Sequence, residues 1–225
     1  MSDRPVLRPV LWHVPLSRSM RVLWLLHEIG CDHDLRELSF FDKSMRRPPY
    51  SDIHPVGRVP ALQIDGLTLH ESGACIEYLC ETRAPHLWRA PGEEGRPGWL
   101  DWLHFAETLG QHIAILTQQH IVLREAQMRS PTVMRLEAAR LSRALSLVEA
   151  TVARHDWLMG KGFSGVDCAV GYAVFIAARF VRLDDRPALA AYLARCEARP
   201  AFRAALPAPG TPVIYQRDFY EAPDG

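Results

Sequence analysis

A Val-Pro step, a tight hairpin and a helix start follow one another within residues 54–82, and no other stretch restricts the fold as strongly. His54-Pro55-Val56-Gly57-Arg58-Val59-Pro60-Ala61-Leu62 reads as a turn leading into a short strand. Asp65-Gly66 separates two short apolar runs, 61–64 and 67–70, and Asp-Gly suits the positive-φ positions of a two-residue hairpin turn. His70-Glu71-Ser72-Gly73-Ala74 then places an acid and a hydroxyl where a helix begins over 72–82. Such parts can hold a small peptide, with an extended backbone to pair against and a helix N-terminus to receive a carboxylate. An ordinary hairpin running into a helix would use the same residues.

The rest of this half fits one mixed sheet. Residues 6–14 form a β-branched apolar run, and 17–30 have helical spacing through Met20, Leu23, Trp24 and Ile29, with Gly30 as the stop. Residues 33–41 alternate as a second strand, and Pro48-Pro49 forbids regular structure locally. Strand, helix, strand, hairpin and helix give a βαβ-ββα order, expected over 1–87. The segment 88–98, rich in Pro, Gly and Glu, reads as a linker. From 99 to 225 the pattern is helical, over 99–129, 131–155, 164–181 and 186–199, with an extended tail from Pro207.

The chain has 225 residues, enough for two modest domains. Lys plus Arg total 26, equal to Asp plus Glu, so the clustered uncompensated cations that nucleic acid requires are not expected. The ten histidines lack metal-type spacing, and neither HExxH nor Cys-x-x-Cys occurs, so no metal is expected. Five scattered cysteines suit a reducing compartment. Residues 1–9 carry no signal-peptide core and no apolar run reaches membrane length, which makes a cytoplasmic location, away from membranes, the expectation.

Four segments carry a resemblance: Ser17-Arg18-Ser19-Met20-Arg21-Val22-Leu23-Trp24-Leu25-Leu26, Pro55 through Leu62, Glu71-Ser72, and Ser164-Gly165-Val166-Asp167. Together they resemble the cytosolic glutathione S-transferase superfamily, with a bacterial, serine-type N-terminal motif. The resemblance implies an α/β thioredoxin-like N-terminal domain with a mixed four-stranded sheet, plus an all-α C-terminal helical bundle. It implies glutathione as co-substrate, a small electrophilic partner, a homodimer and a role in detoxification.

Residue by residue, the resemblance implies a cis peptide before Pro60, so that the Val59 main chain pairs with the cysteinyl residue of glutathione. Glu71 and Ser72 would hold the γ-glutamyl end, with Ser72 capping the helix. Arg58 and Lys43 would meet the ligand's backbone and glycine carboxylate. Ser17 is the candidate hydroxyl that stabilises the thiolate, one position after Leu16, where many classes carry the hydroxyl or amide. Ser19 is a second possibility, expected to face the helix surface. Val14 and Leu16 on one side and Trp102, His104, Phe105 and His112 on the other would line a pocket for an apolar or aromatic electrophile. Ser164-x-x-Asp167 would be a structural capping box. Alternatives stay open: glutathione-dependent peroxide or disulfide reduction, or a non-catalytic glutathione-binding scaffold.

Overall fold

The computed structural model describes residues 8–160 and 162–222. It divides into two compact units. One comprises the chain up to Ala84 together with Pro200–Ile214; the other comprises Pro85–Arg199 together with the chain from Tyr215.

In the first unit, β1 (Val10–His13), β2 (Asp34–Glu37), β3 (Ala61–Ile64) and β4 (Leu67–Leu69) form, among the described residues, one sheet in the order β2-β1-β3-β4. β1 pairs parallel with β2 and antiparallel with β3, and β3 pairs antiparallel with β4. Val6 and Leu7, expected to begin the first strand, lie outside the described residues. β2 is shorter than the expected 33–41 and is exposed along most of its length, and a short helix, α2 (Tyr50–Ile53), lies between it and β3. It pairs on one side only, and Leu35 remains 40% exposed. The Asp65-Gly66 hairpin forms as expected, with φ of 52° and 80°. Tyr78 Oη and Arg83 both donate to the Asp65 carboxylate from α3 (Ser72–Arg83).

α1 (Met20–Glu28) is buried from Met20 through Leu26, so it needs cover on more than its sheet-facing side. It packs against α3 and against α8 (Pro200–Ala204). Phe202 meets Trp24 edge-to-face, with ring centroids 4.9 Å apart. Here the structure corrects the expected boundaries. Residues 200–214 belong with the sheet unit, not with a helical domain running from 99 to 225.

The helical unit contains α4 (Arg96–Thr117), α5 (Pro131–Val152), α6 (Gly165–Ala177) and α7 (Pro187–Ala198). α4 starts inside the segment read as a linker, with Gly95 as its N-cap at φ 87°. α6 is buried on nearly all sides because its sequence is apolar all round. The described chain beyond Tyr215 is not loose: the Tyr220 ring stacks on Phe180 at 5.5 Å, and Tyr220 N–H donates to Arg179 O at 2.7 Å.

The capping box at α6 forms, and its acid does more than cap. Asp167 is fully buried and accepts from Ser164 N–H (2.8 Å), Ser164 Oγ (3.2 Å), Leu158 N–H (3.2 Å) and Tyr192 Oη (3.1 Å). Burial raises its pKa to about 6, against the pull of those donors. Asp167→Asn would turn an NH2 group toward donors. We expect it to cost about 2–3 kcal/mol of unfolding free energy, read by denaturant titration, against about 1 kcal/mol for Ser164→Ala.

Candidate functional site

The candidate site is built where β1 and β3 run out of sheet. Pro60 precedes β3, and the Val59–Pro60 peptide is cis, as expected. Pro60 is buried, Val59 half-buried and Arg58 exposed. Among the described residues, no hydrogen bond engages the Val59 main chain, which leaves an N–H and a C=O available to an extended ligand.

The turn that carries Val59 is braced from below. Tyr50 Oη donates to Arg58 O, and Tyr50 is 1% exposed. Gly57 N–H donates to His54 O at 2.8 Å. The His54 ring lies tilted against His70 with centroids 4.5 Å apart, and a His70 ring nitrogen lies 2.9 Å from Ile53 O. Gly57 has φ +65°, and a Cβ there would lie 2.8 Å from Met45 O.

At the other end, α3 opens beside the hairpin. The expectation that Ser72 caps this helix is corrected. Glu71 holds the N-cap position with extended backbone, and Ser72 is the first helical residue. Ser72 Oγ faces Arg21, whose Nη1 donates to it at 3.2 Å. Both are buried, Ser72 at 3% exposure and Arg21 at 1%, while Glu71 is exposed. A buried guanidinium and the free N–H groups of a helix start both favour an anion at this point.

Ser17 lies in the turn after β1. Pro15 has no N–H to give, and Ser17 N–H donates to Val14 O at 3.1 Å to close the turn. Leu16 takes φ 59°, a left-handed conformation uncommon for a branched residue, which is found where a surrounding structure holds the chain for a purpose. α1 begins only at Met20, not at 17. Ser17 is half-buried, with its Oγ 2.8 Å from Ser19 Oγ.

Ser19 does not face the helix surface as expected; it is fully buried. Its Oγ lies 2.8 Å from His13 Nδ1. Burial lowers the pKa of His13 to about 4, so its ring is neutral near pH 7. Sequence reasoning missed His13 and the role of Ser19. A lone histidine at a strand end carries no signal until the Leu16 turn brings residue 19 back against it.

Other expected residues fall differently. Val14 and Leu16 are 2% and 5% exposed, so their side chains serve packing and present little to a ligand. Lys43 is exposed at φ 67° in the loop after β2. A cavity of about 230 Å³ near that loop is lined by Pro15, Glu37, Ser39, Asp42, Ser44 and Pro212, and Lys43 is not among its walls.

On α4, Trp102 and Phe105 meet edge-to-face at 5.6 Å. Trp102 lines a groove of about 550 Å³ within the helical unit, with Gly98, Arg154, His155, Leu158 and Met159. His104 is exposed. His112 is not a free polar handle: its Nδ1 lies 2.6 Å from Oε2 of the buried Glu137, which Arg140 also contacts. Among the described residues, no three metal-ligating side chains cluster and no helix is long and apolar enough to cross a membrane.

Gly57→Ala should cost about 1–3 kcal/mol in thermal or denaturant unfolding, because it combines a left-handed backbone with a clash against main chain.

The family model for the glutathione S-transferase N-terminal domain matches residues 17–82, and that for the C-terminal domain matches residues 121–200. A maleylacetoacetate isomerase of Pseudomonas aeruginosa is 32% identical over 174 residues, covering 74% of this chain and 80% of that protein. A solved glutathione S-transferase from Xylella fastidiosa superposes with a TM-score of 0.78 at 26% identity, covering 88% of this chain and 96% of that one. A glutathione transferase from Burkholderia graminis, solved with two glutathione molecules bound per subunit, shares the fold with a TM-score of 0.80 at 24% identity, covering 94% and 92%.

Proposed function

The chain belongs to the cytosolic glutathione S-transferase superfamily, and on that premise we propose that it binds glutathione in its N-terminal unit and adds the thiolate to an electrophilic carbon. The observation that carries this reading is the unengaged Val59 main chain beside Pro60. The cysteinyl N–H and C=O of the tripeptide pair with it as one more strand. The γ-glutamyl carboxylate goes to the mouth of α3, where Ser72 and the guanidinium of Arg21 meet. Exposed Glu71 faces the ligand's ammonium, and Arg58 and Lys43 serve its peptide backbone and glycine carboxylate.

The chemistry asks little of the protein beyond orientation and a more acidic thiol. A free thiol has a pKa of about 8.5, and a hydroxyl donating to the sulfur favours the charged form. Ser17 supplies that hydroxyl. The thiol proton passes to solvent, the sulfur lone pair forms the new S–C bond, and the electrons of the electrophile leave with a departing group or take up a proton. Trp102 and Phe105 of α4 are assigned to an apolar or aromatic electrophile.

The identity to a maleylacetoacetate isomerase favours one second reading, in which the same thiolate adds reversibly to a conjugated double bond so that it can rotate. Glutathione is then regenerated and not consumed. Turnover of 1-chloro-2,4-dinitrobenzene, a hydroperoxide and maleylacetoacetate, run side by side, separates conjugation, reduction and isomerisation. Retention on glutathione-agarose without any turnover would leave a binding protein only.

Ser17→Ala is expected to lower kcat by about tenfold or more while the glutathione Kd, from calorimetry, stays within about twofold. Glu71→Ala is expected to weaken that Kd by about tenfold, the scale of one charge-assisted hydrogen bond. A wild-type Kd in Glu71→Ala would remove Glu71 from the binding site.

A further inference from the structure

The hydroxyl of Ser19 has a fixed inventory: one proton and two lone pairs. Val14 N–H donates to it at 3.2 Å, which occupies one lone pair. His13 Nδ1 and Ser17 Oγ both stand 2.8 Å away, and Val14 O is more distant at 3.4 Å. The two short contacts therefore share one proton and one lone pair. Either His13 Nδ1–H donates to Ser19 and Ser19 donates to Ser17, or Ser17 donates to Ser19 and Ser19 donates to His13.

The choice decides what Ser17 can do. Ser17 Oγ already accepts from Ser19 N–H at 3.3 Å. If Ser19 Oγ also donates to it, both lone pairs of Ser17 are filled and its own proton has to point elsewhere. In the opposite arrangement that proton is spent on Ser19, and Ser17 turns a lone pair outward. A lone pair repels a thiolate; a proton stabilises it.

We propose that His13 is a positioning residue held as its Nδ1–H tautomer, so that donation runs from His13 through Ser19 to Ser17 and presents the Ser17 proton to the sulfur of glutathione. The proposal rests on the reading of Ser17 given above. The ring is 3% exposed and burial keeps it neutral, so the tautomer is what sets the direction of the chain. Donation along such a chain also polarises the last hydroxyl and makes it a better donor.

The test has two arms. Nitrogen NMR of the full-length protein with labelled histidine reads the tautomer directly, with the His13 signals identified by their loss in His13→Asn and their shift in Ser19→Ala. We expect Nδ1 protonated and Nε2 bare; a bare Nδ1 overturns the proposal. The second arm follows the ultraviolet absorbance of bound thiolate against pH. In His13→Leu and Ser19→Ala the thiolate titration should move up by about half to one pKa unit, about a three- to tenfold loss of thiolate at pH well below the pKa, with glutathione Kd within about twofold of wild type. His13→Asn, which keeps an amide N–H near the Nδ1 position, should restore the wild-type titration.

A titration unchanged in Ser19→Ala while Ser17→Ala shifts it would remove the relay and leave Ser17 in place. An unchanged titration in Ser17→Ala would remove the assignment of Ser17 itself. Asn behaving like Leu at position 13 would overturn the need for a donor there. If His13→Leu does not fold, the NMR of the wild-type protein and the titration of Ser19→Ala still decide.

Discussion

Main-chain hydrogen bonding in the sheet unit stops at defined places, and the candidate site is made of those stops. β1 is paired on both sides through the ladder with β2 and β3. Pro15, two residues beyond its end, has no N–H to extend that ladder. Pro60 does the same ahead of β3. The polar groups left over cannot stay buried and unpaired without a cost of about 1–3 kcal/mol each, so the local sequence disposes of them one by one. Val14 O is taken by Ser17 N–H, Arg58 O by the Tyr50 hydroxyl, and the Val59 pair is left at a half-buried position. An extended peptide is the natural complement to what remains.

Charge is arranged on the same logic. Arg21 is among the most deeply buried side chains of the unit, and its guanidinium reaches Ser72 from α1 at the start of α3. A cation placed there adds to the positive end of the helix and makes that spot suited to a carboxylate. Two acids of the same unit are engaged elsewhere: Asp65 is held by Tyr78 and Arg83, and Asp42 accepts from Ser44 N–H. Glu71, at the same helix start, is exposed and able to face a cationic group.

What could be read from the chain alone was what depends on neighbours in sequence. Asp65-Gly66 announces a hairpin because two positive-φ positions in a row admit few residues. Ser164 and Asp167 announce a helix start because their reach is one turn. The helix start at Glu71-Ser72 was legible for a similar reason, and the cis peptide before Pro60 through the resemblance. Contacts that span a bend or a long separation were not. Ser19 reads as a surface helix residue until Leu16 adopts a left-handed conformation and folds it onto His13. Phe202 gives no sign that it belongs to Trp24, far earlier in the chain. His112 carries helical spacing suited to a pocket, but its partner Glu137 lies on another helix and claims its ring nitrogen.

The partnership of Trp24 and Phe202 reaches into how the protein is made. The sheet unit is discontinuous: its strands and first helices are encoded early, while the segment that packs on α1 is encoded after the four long helices of the helical unit. During synthesis the early portion leaves the ribosome with Trp24 still lacking its edge-to-face neighbour, and it stays incomplete until the helical region has followed it out. A fragment ending near residue 84 lacks Phe202, and with it the edge-to-face neighbour of Trp24.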